Sequence, residues 1–146
     1  MEEGLTLLEE IRRKFGVSGV DIRTYSPLTF AYIGDAIYEM VIRTLIVDQG
    51  QRAANSLHKH TTRIVCAQTQ AKLIDALMDS LTEEELVIYR RAKNAKLNST
   101  AKNATIQEYR KATAFEAVCG YLYLTNQTNR LLDLVKKGIE LLAIEI

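Results

Sequence analysis

Apolar residues recur along this chain at spacings of three and four, the period of helices that bury one side. No stretch alternates apolar with polar residues, and no Asn-Gly or Asp-Gly hairpin turn interrupts the pattern. Leu5, Leu8, Ile11 and Phe15 share one face of a short amphipathic helix, and Gly16 to Tyr25 reads as a connector. Ser26-Pro27 reads as a helix start, because serine caps free amides and proline is preorganised for the first helical position. That helix is expected from Leu28 to about Asp48, with Gln49-Gly50 ending it. Residues 52–78 read as one or two helices with a break near Thr61-Thr62. Thr82 with Glu85, and Thr105 with Glu108, have the spacing of capping boxes. The first opens a helix through Leu86, Val87 and Tyr89, and the second a helix to about Leu124. Leu97 to Ala104 is polar and is expected to be a loop, and a last helix is expected from about Asn129 to Ile144. The pattern predicts an all-α chain of six or seven helices, without internal repeats or a linker between domains.

Two acids stand against this pattern. Asp35 is flanked by Phe30, Ala31, Ile33, Gly34, Ala36 and Ile37, so it is expected in an almost wholly apolar helix. Glu116 lies in Ala112-Thr113-Ala114-Phe115-Glu116-Ala117-Val118, with Gly120 four residues on. A buried carboxylate costs several kcal/mol unless it is paired, hydrogen-bonded or bound to a cation. Gly34 is costly inside a helix and makes sense where another backbone or a ligand must come close. Two such helices in contact would bring Asp35 and Glu116 together, and their hard oxygens suit Mg²⁺, with Mn²⁺ the alternative. The bland reading is that each acid answers an arginine or caps a neighbouring helix. Glu39 stands four residues before Arg43 and reads as half of a helical ion pair.

The chain has 146 residues, a size for one domain, and its 19 Lys and Arg against 18 Asp and Glu exclude a strongly basic tail-type nucleic-acid binder. The charge is uneven. Residues 90–111 contain Arg90, Arg91, Lys93, Lys96, Lys102, Arg110 and Lys111 against a single acid, Glu108. His58-Lys59-His60 is a smaller cluster, whose histidines face apart on a helix and so do not form a zinc site. Lysine and arginine interleaved with asparagine, serine and threonine suit phosphate contacts, and Asn94 beside Lys93 could join them. A solvated helix face is the competing explanation of such a run. Two cysteines, Cys66 and Cys119, are too few for a disulfide scaffold and read as buried free thiols of a cytoplasmic protein. No apolar run approaches the ~20 residues that span a bilayer, and the acidic start is unlike a signal peptide.

Four segments together carry a resemblance. Tyr32-Ile33-Gly34-Asp35-Ala36-Ile37-Tyr38-Glu39 resembles the signature helix of ribonuclease III domains. Ala112 to Val118, followed by Gly120-Tyr121-Leu122-Tyr123-Leu124, resembles their second acidic helix. Leu57-His58-Lys59 and Arg90-Arg91-Ala92-Lys93-Asn94-Ala95-Lys96 are similar to segments of the Mini-III branch, which lacks the double-stranded-RNA-binding domain. The resemblance runs from about Pro27 to Leu134. Residues 1–25 fall outside it and read as an N-terminal helix and connector, and the resemblance implies 26–146 as a single ribonuclease III-type helical catalytic domain acting as a homodimer. It further implies Mg²⁺-dependent hydrolysis of double-stranded RNA, leaving 5′-phosphates, with Asp35 and Glu116 as catalytic and metal-binding residues. The implied substrate is the 23S ribosomal RNA precursor in the bacterial cytoplasm, with a large-subunit ribosomal protein assisting and no membrane involved. RNA contacts would come from His58, Lys59, Arg90, Arg91, Lys93, Asn94, Lys96 and Lys102. Leu28, Ala31 and Thr113 stand where the larger ribonuclease III pattern has further acids, and Ala92-Lys93 where Mini-III proteins usually have Gly-Arg. The thinned acidic set keeps open a catalytically silent RNA-binding or ribosome-assembly module with the same fold.

Overall fold

The computed structural model describes residues 4–96 and 104–146, which form seven α-helices and no strand. They are α1 (Leu7–Phe15), α2 (Pro27–Val47), α3 (Ala54–Val65), α4 (Ala67–Leu77), α5 (Glu83–Lys93), α6 (Ile106–Leu124) and α7 (Thr128–Leu141). The all-α expectation therefore holds. Most of the expected loop over Leu97 to Ala104, with Lys102, lies outside the described residues.

Local chemistry sets the starts. Ser26 caps α2 through Leu28, with Pro27 at the first position. Thr82 and Thr105 form reciprocal capping boxes with Glu85 and Glu108, and Thr6 forms a third with Glu9 at the start of α1. The break expected near Thr61-Thr62 falls instead at Cys66, an extended residue between α3 and α4. Both threonines stay helical by turning their hydroxyls back onto the carbonyls of Leu57 and His58, at 2.9 Å each. Cys119 is buried as expected, whereas Cys66 at this corner is only half-buried.

Helix α6 is the centre. Its residues from Ala112 to Leu122 are almost all buried, as expected of a helix apolar on every side. It packs against α2, α4, α5 and α7, and its most extensive contact is with α2. Around it gather Phe30, Tyr38, Ile42 and Ile46 of α2, Leu73, Ile74 and Leu77 of α4, Ile88 and Tyr89 of α5, and Leu131, Leu134 and Val135 of α7. Tyr38 stacks edge-on to Phe115, centroids 4.9 Å apart, and its hydroxyl donates to the Ile64 carbonyl at 3.0 Å.

Arg130 on α7 grips Glu85 with two hydrogen bonds of 2.9 and 2.8 Å, and donates to the Ser80 carbonyl at 2.6 Å. Glu85 is only 2% exposed, so removing the guanidinium would strand a buried charge, a loss of about 3–5 kcal/mol. Burial raises the Glu85 carboxyl, but Arg130 and the hydrogen bonds with Thr82 together outweigh it and hold the group below its ordinary range.

The α2–α6 crossing is backbone against backbone. A Cβ on Gly34 would sit 1.7 Å from the Glu116 carbonyl oxygen, and one on Gly120 would sit 1.9 Å from that of Phe30. Neither obstacle is a flexible side chain, so only glycine fits at either position. Gly34→Ala is expected to cost at least about 3 kcal/mol, the upper end for overpacking, and to lower the melting temperature by roughly 10 °C. A melting curve within about 2 °C of the parent would contradict the close crossing.

Candidate active site

The crossing places two carboxylates side by side. Asp35 follows Gly34 on α2, and Glu116 is the residue of α6 whose own carbonyl abuts Gly34. Asp35 stands close enough to Glu116 to act on its carboxyl through a hydrogen bond and through charge. Glu116 is half-buried, but Asp35 is exposed, which corrects the expectation of two acids sunk in apolar helices. Part of the apolar surface around Asp35 belongs to an open face: Tyr32 is 82% exposed and Met40 45%. Glu39 pairs with Arg43 at 2.6 Å on that helix, as its spacing predicts.

Burial pushes the Glu116 carboxyl up to about 9, and the adjoining Asp35 pushes in the same direction through its hydrogen bond and charge. The side chain of Gln70 opposes them, its Nε2 donating to Glu116 Oε2 at 3.4 Å. Among the described residues no lysine or arginine contributes to this balance at Glu116. The bland reading, in which each acid answers an arginine, therefore does not describe Glu116. Without a cation a carboxyl raised this far keeps its proton at neutral pH. Hard oxygen donors in contact, short of positive charge and open to solvent on one side, fit a divalent cation such as Mg²⁺ or Mn²⁺. Among the described residues no cluster of three or more His, Cys, Asp or Glu could hold a metal. The protein offers two carboxylates, and water and a substrate's phosphate oxygens would fill the remaining positions.

The positions where the family pattern has further acids are occupied by packing. Ala31 is buried on α2, and the Thr113 hydroxyl donates to the Tyr109 carbonyl of its own helix at 2.9 Å.

The basic residues divide into two kinds. Arg90, Arg91, Asn94 and Lys96 are exposed around the end of α5. Lys93 is half-buried, with its ammonium 5.8 Å from the centre of the Tyr89 ring. Arg110 instead donates to the Lys93 carbonyl at 3.2 Å, satisfying a free carbonyl at the α5 end. Lys111 pairs with Asp75 at 2.9 Å. These two charges of the basic stretch hold α6 to its neighbours. Helix α5 runs antiparallel to α6, with Glu84 accepting from the Tyr121 hydroxyl at one end and Lys93 against Arg110 at the other. The α5 end therefore lies level with a point on α6 roughly 9 Å of helical rise from Glu116. His58 and Lys59 are exposed on α3, away from the α5 cluster in the chain, and His58 borders a depression beside Arg43 and Thr61. His60 spans Arg52 and the Glu145 carbonyl at 3.0 and 3.2 Å, a structural bridge. No helix of the described residues is long and apolar enough to cross a membrane.

Gln70 is the residue at this site that the sequence reading passed over. Its signal was available: it stands on the apolar stripe Gln70, Leu73, Ile74, Leu77 of α4, a polar side chain on a core face.

A family model of the ribonuclease III domain matches residues 28–127. The Mini-ribonuclease 3 of Clostridium tetani is 46% identical over 122 residues, covering 83% of this chain and 81% of that protein. The Mini-ribonuclease 3 of Enterococcus faecalis is 47% identical over 117 residues, covering 79% and 89%. Among solved structures, a crystal structure of a Fusobacterium nucleatum protein superposes with a TM-score of 0.76 at 34% identity. That match covers 84% of this chain and 99% of that one.

The acid pair has a pH signature in the cation-free protein. A folded-state value near 9 for Glu116, against an ordinary 4.5, gives stability that is fully present below pH 4.5 and lost as pH rises through 9. With a chelator present, the urea midpoint is expected to fall between pH 5 and pH 9, and Glu116→Gln to flatten that fall. Equal slopes in parent and variant would mean that neither burial nor Asp35 raises Glu116.

Proposed function

The chain belongs to the ribonuclease III domain family. From that premise we propose that it cleaves double-stranded RNA with a divalent cation, Mg²⁺ in the first place, held between Asp35 and Glu116. The observation that carries the reading is the pairing of Asp35 with Glu116 at the Gly34 crossing, on a site open to solvent and with no neutralising arginine or lysine at Glu116 among the described residues. When bound there, the cation supplies positive charge to a phosphate oxygen and makes a water molecule more acidic.

The chain's own residues do the rest. Asp35, being exposed, presents its oxygens to an arriving phosphodiester, and Glu116 holds its carboxylate from behind. The close crossing sets their separation through main-chain contact, so the site is preorganised before RNA arrives. Arg90, Arg91, Lys93, Asn94 and Lys96 at the end of α5, with Lys102 beyond it and His58 and Lys59 on α3, would grip the phosphate backbone. Such contacts read the A-form shape of a duplex and not its bases.

A homodimer is part of the proposal. Tyr32, Ala36, Met40 and Val47 lie exposed along α2, the helix that carries Asp35, and a second copy covering this helix would set two acid pairs across one duplex. The substrate proposed is the 23S ribosomal RNA precursor in the cytoplasm, with a large-subunit ribosomal protein assisting. The relatives named Mini-ribonuclease 3 support the choice of a ribonuclease, and the resemblance of the four sequence segments supports the choice of substrate.

A labelled precursor duplex tests the reading. Discrete products are expected with Mg²⁺, none with EDTA, and a fall of at least about a thousand-fold for Asp35→Asn with binding retained. Binding without cleavage by the parent protein would replace this reading with that of a silent RNA-binding module. Lys93→Ala is expected to weaken RNA binding and to reduce the slope of log affinity against log salt by about one, measured by titration at several salt concentrations. An unchanged slope would take Lys93 off the RNA surface.

A further inference from the structure

We propose that Gln70 is the positioning residue of the acid pair: its side-chain amide, anchored on the end of α3, fixes the Glu116 carboxylate for cation binding. This rests on the reading that Asp35 and Glu116 hold the cation.

Gln70 sits in the first turns of α4 and is 2% exposed. An amide buried to that degree must have its hydrogens satisfied. Its Nε2 donates to the Val65 carbonyl at 3.0 Å and to Glu116 Oε2 at 3.4 Å, which accounts for both hydrogens. The orientation of the amide follows from chemistry. The Val65 carbonyl can only accept, so it requires the nitrogen end, and a flipped amide would set oxygen against oxygen.

The first hydrogen bond is an anchor. Val65 is the last residue of α3, and the corner is held a second time by the Tyr38 hydroxyl on the Ile64 carbonyl. The Gln70 nitrogen therefore cannot follow Glu116 if that side chain swings. The second hydrogen bond acts on the carboxylate. Capping α3 alone would need one hydrogen, yet the other is directed at Glu116.

The choice of residue also suits the site. A lysine or arginine here would neutralise Glu116 and compete with the cation. A neutral amide donates to one carboxylate oxygen and leaves the charge of the pair intact. It also takes on an orienting task in a site where Ala31 and Thr113 are committed to packing and carry no carboxylate.

Mn²⁺ alone, without RNA, is the probe, its free concentration followed by electron paramagnetic resonance with the full chain. Gln70→Met keeps the length of the side chain and removes the amide. It is expected to raise the Mn²⁺ dissociation constant by about 10–100-fold, the usual effect of losing such a partner. Excess metal should restore kcat, and KM for RNA should not move. Glu116→Gln is expected to abolish the site, and adding Gln70→Met to it should cost nothing more. Parent-like Mn²⁺ affinity in Gln70→Met, alongside loss in Glu116→Gln, would overturn the role of Gln70 and leave the acid pair standing. Parent-like affinity in Glu116→Gln would overturn both. A measurement on the parent protein covers the case in which Gln70→Met does not fold. The Gln70 side-chain amide signals in a ¹⁵N-glutamine-labelled sample are expected to shift on saturation with Mg²⁺, and unmoved signals would overturn the proposal.

Discussion

Two missing side chains govern this molecule. Gly34 and Gly120 let α2 and α6 touch main chain to main chain, each glycine facing a carbonyl of the opposite helix. Every other helix that frames the site is placed relative to this pair. Helices α4 and α5 flank α6, α3 follows from α2, and the largest buried side chains, Tyr38, Phe30, Ile42 and Ile46, line the α2 side of the same core. The glycines cost helix propensity, and the packing around the crossing offsets that loss. What the crossing yields is a spacing: two neighbouring carboxylates on helices that have no room to drift together.

The chain also shows two opposite treatments of an acid in a core. Glu85 is sealed at 2% exposure, engages the Thr82 amide as part of a capping box, and is gripped by two nitrogens of Arg130. All its charge is spent on holding α5 to α7. Glu116 is met by another acid and by one neutral amide. The same residue type is thus fully compensated where it serves the fold and left under-compensated where it can serve chemistry. The difference lies in the partners donated by other helices.

That distinction explains how much could be read from the sequence. Features that depend on neighbours in the chain were legible: the Ser26-Pro27 start, the capping boxes at Thr82 and Thr105, the Glu39–Arg43 pair and the need for a close approach at Gly34. Features that depend on a distant partner were not. Arg130 reaches Glu85 across 45 positions, and Gln70 reaches Glu116 across 46. Arg110 and Lys111 looked like free positive charge until Lys93 and Asp75 claimed them. Threonines that bond back within a helix look, in sequence, like threonines that end one, so the break lies at Cys66 and not at Thr61-Thr62. Asp35 reads as interior because its neighbours are apolar, although Tyr32 and Met40 show that apolar residues also cover an outward face.

Glu116 takes part in the crossing with its main chain and in the site with its side chain. The two uses cannot be adjusted separately. In most sites a carboxylate one methylene shorter can be accommodated by a small slide of its helix. Here the Glu116 carbonyl already rests against Gly34, and the helices are at a hard stop. An aspartate at this position would leave a gap that no repacking of the core could close. The reach of the inner acid is therefore locked to the thickness of a peptide backbone.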